Sequence, residues 1–180
     1  MLDLRTGMLF RRRRSFHADQ EVGAPLALRT TKHYIQVMLS PELLKLLAFD
    51  GEDLEVISTH LQDAAVKSVD MAFLPREKRF ALVVDRYDWC GAQSGERTRR
   101  RSGLHFERVL GVKRSHFEQN CEKSEVLLSI SFQASDDPAG QVTLFFEGGG
   151  AIRLEVECLE AAMSDLGPAW PCGSPPPVRA

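Results

Sequence analysis

The sequence has no apolar run approaching the roughly 18–20 residues that a membrane-crossing helix needs, so no segment of it reads as a membrane span. It also lacks the secretory pattern, a basic start leading at once into roughly 7–15 apolar residues. Arg11–Arg14 is followed instead by Ser15-Phe16-His17-Ala18-Asp19-Gln20-Glu21. Cysteine is scarce: Cys90, Cys121, Cys158 and Cys172 form no C-x-x-C pair and have no histidine at zinc-finger spacing, which argues against a zinc finger and a cystine framework. Scattered thiols fit a reducing compartment, and the expectation is a cytoplasmic protein. Cys158 lies in an apolar stretch and reads as a small core residue. The glycine-rich phosphate and dinucleotide loops, the H-E-x-x-H zinc signature and the G-x-S-x-G elbow are all missing, so no catalytic residue, cofactor or metal is assigned.

What is present is enough for one folded domain. The chain has 180 residues, 43% hydrophobic and 27% charged. A domain of this size buries roughly two-thirds of the surface its unfolded chain exposes and needs neither metal nor disulfide for stability. The net charge is −2 but unevenly spread: residues 1–40 net +4 and residues 41–180 net −6. The basic stretch 1–40 reads as an extension with three interpretations: a disordered tail, residues ahead of a natural start at Met38, or a basic arm for nucleic acid or membrane. Basic runs of this kind are usually solvated. The domain itself is mildly acidic and has no bulk attraction for nucleic acid.

Periodicity outlines residues 41–170 as a single α+β domain. Leu43, Leu44, Leu46, Leu47 and Phe49 read as a short buried strand or helical turn. Asp50 is a helix N-cap with Asp53 at the third position, and Leu54, Ile57 and Leu61 give a helix over about 51–62. Residues 65–73 and 80–84 form a hairpin around Leu74-Pro75-Arg76-Glu77-Lys78. Residues 90–98 read as an exposed loop, and Leu104, Phe106, Leu110 and Val112 as one further strand. Val126–Gln133 is a strand, and Asp136–Gly140 a turn. In the next hairpin Val142, Leu144 and Phe146 alternate before Gly148-Gly149-Gly150, and Ile152, Leu154 and Val156 after it. The expected pairing sets Phe146 against Ile152, Leu144 against Leu154 and Val142 against Val156, all on one face. Leu159, Ala162, Met163 and Leu166 then predict a short C-terminal helix stopped by Gly167-Pro168, and residues 171–180 a loose Pro-rich tail. The expected fold is an antiparallel sheet curled into a roll or small barrel, with the N-terminal and C-terminal helices packed on it.

Three places could carry chemistry. His60 and Asp63 share a helix end, a pairing better read as surface than as part of a metal site. Gly148–Gly150 lies between strands rather than at a helix N-terminus, so it reads as a turn and not as a phosphate cradle. Asp85-Arg86-Tyr87-Asp88-Trp89 gathers two carboxylates, an arginine and two aromatics where a strand enters a loop, a common address for function. The bland alternative there is an Arg–Asp ion pair with packed aromatics. Arg97, Arg99, Arg100 and Arg101, followed by His105 and Glu107, could hold an anion through the planar guanidinium fork, or pair with the domain's surplus carboxylates.

The segments Leu61-Gln62-Asp63-Ala64, Arg79-Phe80-Ala81-Leu82-Val83, Arg86-Tyr87-Asp88-Trp89, Arg99–Phe106, Gly148–Leu154 and Asp165–Trp170 together resemble a bacterial family of uncharacterised proteins, the domain-of-unknown-function family numbered 2948. The resemblance spans about residues 43–170. It implies a small bacterial cytoplasmic protein and carries over no catalytic residue. The leading expectation is a non-enzymatic binding or accessory protein that takes an anionic ligand or a protein partner through Asp85, Arg86, Tyr87, Asp88, Trp89, Arg99, Arg100, Arg101 and His105. The alternatives are a small enzyme on an anionic metabolite, with Asp85, Asp88 and His105 as acid–base groups, and RNA binding through the arginines, the weaker of the two because the domain is acidic. No membrane partner is expected.

Overall fold

Asp50 starts the longest helix among the described residues. The computed structural model describes residues 43–93, 95–117 and 123–176; the basic stretch 1–40 lies outside them. Ahead of the helix, β1 (Lys45–Ala48) buries Leu46 and Ala48 and turns Lys45 and Leu47 outward. Asp50 is extended, its Oδ1 accepts from the Asp53 amide at 2.9 Å, and α1 (Gly51–Leu61) follows. That bond satisfies one of the amides a helix start leaves unpaired. Leu54, Ile57 and Leu61 go to the core as their spacing requires.

Strands β2 (Ala64–Leu74) and β3 (Arg79–Tyr87) make the expected hairpin, with Phe73 opposite Phe80 and a register shift between Val66 and Met71. The segment read as an exposed loop contains a short helix, α2 (Trp89–Gln93). Asp88 begins it, accepting from the Gly91 amide through Oδ1 and from the Ala92 amide through its carbonyl. The single strand expected next is two, β4 (Thr98–Phe106) and β5 (Val109–Ser115). Arg108 takes φ +60 between them, and the strands separate: β4 joins β3 and β9, while β5 joins β8.

Strands β6 (Ser124–Asp136), β7 (Ala139–Phe146) and β8 (Ala151–Val156) form a meander. The glycine hairpin keeps its predicted face but not its register. Leu144 faces Ile152 and Val142 faces Leu154, because a 3-10 turn over Glu147–Gly149 widens the connection and Phe146 N–H closes it on Gly150 C=O. The slip is two residues, which preserves the alternation. Val142, Leu144, Phe146, Ile152, Leu154 and Val156 are all buried.

The predicted C-terminal helix is strand β9 (Ala161–Asp165), inserted between β1 and β4. Its burial alternates, with Ala161, Met163 and Asp165 inside. Leu166, expected on an apolar helical stripe, is mostly exposed. Two waiting strand edges outweighed a weak helical spacing, as tertiary pairing often does. Part of the tail is also tied down: β10 (Trp170–Pro171) pairs with β4, and the Cys172 amide donates to Arg97 C=O. Cys158 is half-buried rather than a core residue.

The result is a mostly antiparallel sheet with few helices, in the order β1-β9-β4-β3-β2-β6-β7-β8-β5. The order has two ends, so the sheet is not closed into a barrel. One face is lined by a single cluster that includes Leu54, Phe80, Leu104, Phe106, Leu144 and Leu154. The opposite face of β1, β9 and β4 presents Leu47, Ala162 and His105 in one row across the register.

Candidate functional site

Strand alternation divides the residues Asp85–Trp89 before any chemistry is considered. Phe80, Leu82, Val84 and Arg86 all lie on the inner face of β3. Arg86 therefore extends the core row with a charge and is only 4% exposed. Its Nε donates to Asp165 Oδ1 at 2.9 Å and its Nη2 to Oδ2 at 2.8 Å. Ser102 Oγ donates to the same carboxylate at 2.6 Å, and the Leu44 amide at 2.9 Å. A buried ion pair persists only when its remaining lone pairs are satisfied, and here β3, β4, β9 and the residue just ahead of β1 all contribute. Burial alone would raise the Asp165 pKa; hydrogen bonds from Arg86, Ser102 and Leu44 outweigh it and hold the carboxyl below its ordinary range.

Next to this pair lies His60, at the end of α1. Burial, and then the Arg86 charge, push its pKa below the usual imidazole value, with Asp165 and Asp88 pulling the other way. Asp63 is buried, and its amide donates to Leu127 C=O. Among the described residues no group of three or more His, Cys, Asp or Glu is placed to hold a metal ion.

The remaining residues of the segment are mostly occupied by neighbours within the fold. Tyr87 is buried, its ring 4.8 Å from that of Trp89 in an edge-on contact, and Trp89 Nε1 donates to Gln62 C=O. Asp85 lies opposite Arg101 and accepts from its Nε at 2.9 Å and its Nη2 at 3.2 Å. Arg99 donates to Asp85 C=O, and Arg100 Nε is 3.5 Å from Asp88 Oδ2. The bland reading of an Arg–Asp pair thus holds for Arg86, although its partner is Asp165 rather than a carboxylate in its own segment. The arginines 99–101 pair with carboxylates or carbonyls of β3 and its end.

His105 lies apart from all of these. Asp85 pairs across to Arg101, and His105 is four residues further along β4, about 13 Å at strand rise. Asp85, Asp88 and His105 do not converge on one pocket. His105 instead helps line a cleft of about 340 Å³ on the outer face, with Leu47, Phe49, Ala161 and Ala162 as its apolar part and Glu77, Lys78, Glu107, Arg108 and Glu160 as its charged part. The cleft follows from the register: Ala162 sits between Leu47 on β1 and His105 on β4. Two strand spacings put those neighbours about 10 Å apart, and an alanine cannot fill the gap. Leu47 and Phe49 are 62% and 59% exposed, an unusual position for large apolar side chains beside a concavity.

The model of the family described as Protein of unknown function (DUF2948) matches residues 44–177. The chain belongs to that family. No curated protein and no solved structure matches it. In this DUF2948 member the cleft was hidden from sequence reasoning because its walls come from positions 47–49, 77–78, 105–108 and 160–162. The one local signal was an edge segment, Leu43–Phe49, with more apolar residues than a two-faced strand can bury. No described helix is long and apolar enough to cross a membrane.

Proposed function

We propose that this protein is a non-enzymatic binding or accessory protein, and that it holds its ligand in the outer-face cleft between β1 and β4. The cleft carries this reading: it is a concave site lined both by the exposed apolar side chains Leu47 and Phe49 and by charged groups, the usual makeup of a small-ligand site. Of the residues expected to bind, His105 has the supporting position. Arg86 and Tyr87 are buried in packing, which favours a structural role for them. Arg99, Arg100 and Arg101 are held by Asp85 and Asp88, which weakens the anion and RNA readings. The enzyme reading loses support because its three acid–base candidates are dispersed.

The proposal includes a cytoplasmic setting, in keeping with the unpaired thiols Cys90, Cys158 and Cys172. It also includes a sheet that curls around its core, in keeping with one apolar cluster drawing on strands from both ends of the order. The test is thermal unfolding of the full chain against a panel of metabolites, in parallel with Ala162→Leu, which fills the notch. A ligand at about 100 times its Kd adds roughly 2.7 kcal/mol to stability. A stabilising ligand that Ala162→Leu no longer accepts supports the cleft. Stabilisation that survives the substitution refutes it.

A further inference from the structure

The charges around the cleft do not cancel. Glu77, Glu107 and Glu160 line it, against Lys78 and Arg108. Lys78 is committed to Glu157, and the bond holds that carboxyl below its ordinary pKa range. Arg79, which does not line the cleft, donates to Glu107 Oε1 at 2.7 Å and lies 3.7 Å from Glu77. Four carboxylates therefore share three permanent cations. Two of the contacts are loose: His105 Nε2 is 3.6 Å from Glu107 and Arg108 Nε is 3.6 Å from Glu160, both beyond hydrogen-bond reach. Glu107 is the most recessed of the carboxylates, its side chain 22% exposed against 58% for Glu77 and 41% for Glu160. Leu47 and Phe49 line the same cleft with an aliphatic and an aromatic surface.

Resting on the binding role assigned above, we infer that the ligand is a small organic cation, an ammonium or guanidinium on a short apolar stem. The head lies against Glu107 and Glu160, and the stem lies along Leu47, Phe49 and Ala162. A cation satisfies the surplus carboxylate, and its charge-assisted hydrogen bonds are stronger than neutral ones. Leu47 and Phe49 offer the stem apolar surface. An anion would meet a Lys78 already held by Glu157 and would face the surplus carboxylates. The volume of about 340 Å³ suits a small molecule, near the low end of the usual range for ligand clefts.

The experiment is titration of the full chain with butylammonium, butylguanidinium, butyrate and butanol, followed through backbone amide NMR shifts. The two cations are expected to move the amides of Leu47, Phe49, His105 and Ala162, binding at least about tenfold more tightly than butyrate or butanol, a difference of about 1.4 kcal/mol. Glu107→Gln keeps the side-chain shape while removing its charge, and should weaken the cations about tenfold while leaving butanol unchanged. Ala162→Leu should abolish every one of these shifts. Butyrate or butanol binding in the cleft as well as the cations do, and lost in Ala162→Leu, would overturn the cation assignment and leave the binding role standing. Cation shifts that map elsewhere, or persist in Ala162→Leu, would overturn both. A blocked lysine peptide that binds where butylammonium does not would overturn the small-molecule assignment in favour of a protein segment.

Discussion

Arg86 and Asp165 stand 79 positions apart in the chain and meet as a two-pronged, almost fully buried ion pair. The pair bonds β3 to the end of β9, and through the Leu44 amide it also fixes the start of β1. Its role follows from its place: it closes the open end of the apolar core with a fully hydrogen-bonded charge pair.

Removing one partner should therefore hurt more than removing both. Asp165→Ala leaves the Arg86 charge buried and uncompensated, which typically costs about 3–5 kcal/mol. The double variant Arg86→Met/Asp165→Leu restores apolar contact and should recover much of that loss. Urea unfolding of Arg86→Met, Asp165→Leu and the double variant measures the difference. A loss in the double variant equal to the sum of the two single losses would show that the charges are not coupled.

Acid should unfold the protein in two stages, and the signs follow from the pKa directions. His60 has a lowered folded pKa, so the unfolded chain binds the extra proton first. Stability should begin to fall below about pH 6.5, the ordinary imidazole value. Asp165 also has a lowered folded pKa; its contribution is complete above about pH 3.9 and is lost as pH drops through the folded value. Stability measured by urea from pH 8 to pH 3 should show the first decline flatten in His60→Gln.

Gly140 is required for packing. A Cβ there would run into the ring of Phe132 and stand 2.7 Å from Gln133 C=O. Gly140→Ala should destabilise the β6–β7 hairpin, with overpacking of this kind costing about 1–3 kcal/mol. A melting curve checks it, and a co-substitution of Phe132 by Leu should return part of the loss.

The helix cap gives a smaller effect. Asp50→Ala leaves the Asp53 amide without its acceptor and should cost about 1 kcal/mol. Asp50→Ser should cost little, and the comparison by chemical denaturation separates capping from general charge effects.

The elements readable in the sequence were those in which a local rule and tertiary pairing agree. Asp50 capping a stripe of Leu54, Ile57 and Leu61 left one solution, and so did Phe80, Leu82 and Val84 alternating beside a proline turn. The misread element is one in which two periods coincide. Met163 fits both the helical spacing with Leu159 and Leu166 and the strand alternation with Ala161 and Asp165. What decides between them is the pair of free edges on β1 and β4, which no local window contains. The same holds for the site. Asp85 and Arg86 are neighbours, so the sequence invites a shared role, yet strand alternation sends Arg86 into the core and Asp85 to solvent. His105 was singled out for its nearness to the arginines, whereas the structure surrounds it with residues from β1, β9 and three turns.

The insertion of β9 between β1 and β4 also sets the order in which the molecule can mature during synthesis. Leu47 leaves the ribosome early and Ala162 more than a hundred residues later, yet the register joins them directly. Until β9 emerges, β1 has no described strand to pair with and the hollow above Ala162 does not exist. Loop closure of that length is slow, so the nascent chain carries an unmatched Leu43–Phe49 segment through most of translation. The cleft is then among the last features the chain acquires, and a product truncated before residue 161 would lack its Ala161 and Ala162 wall.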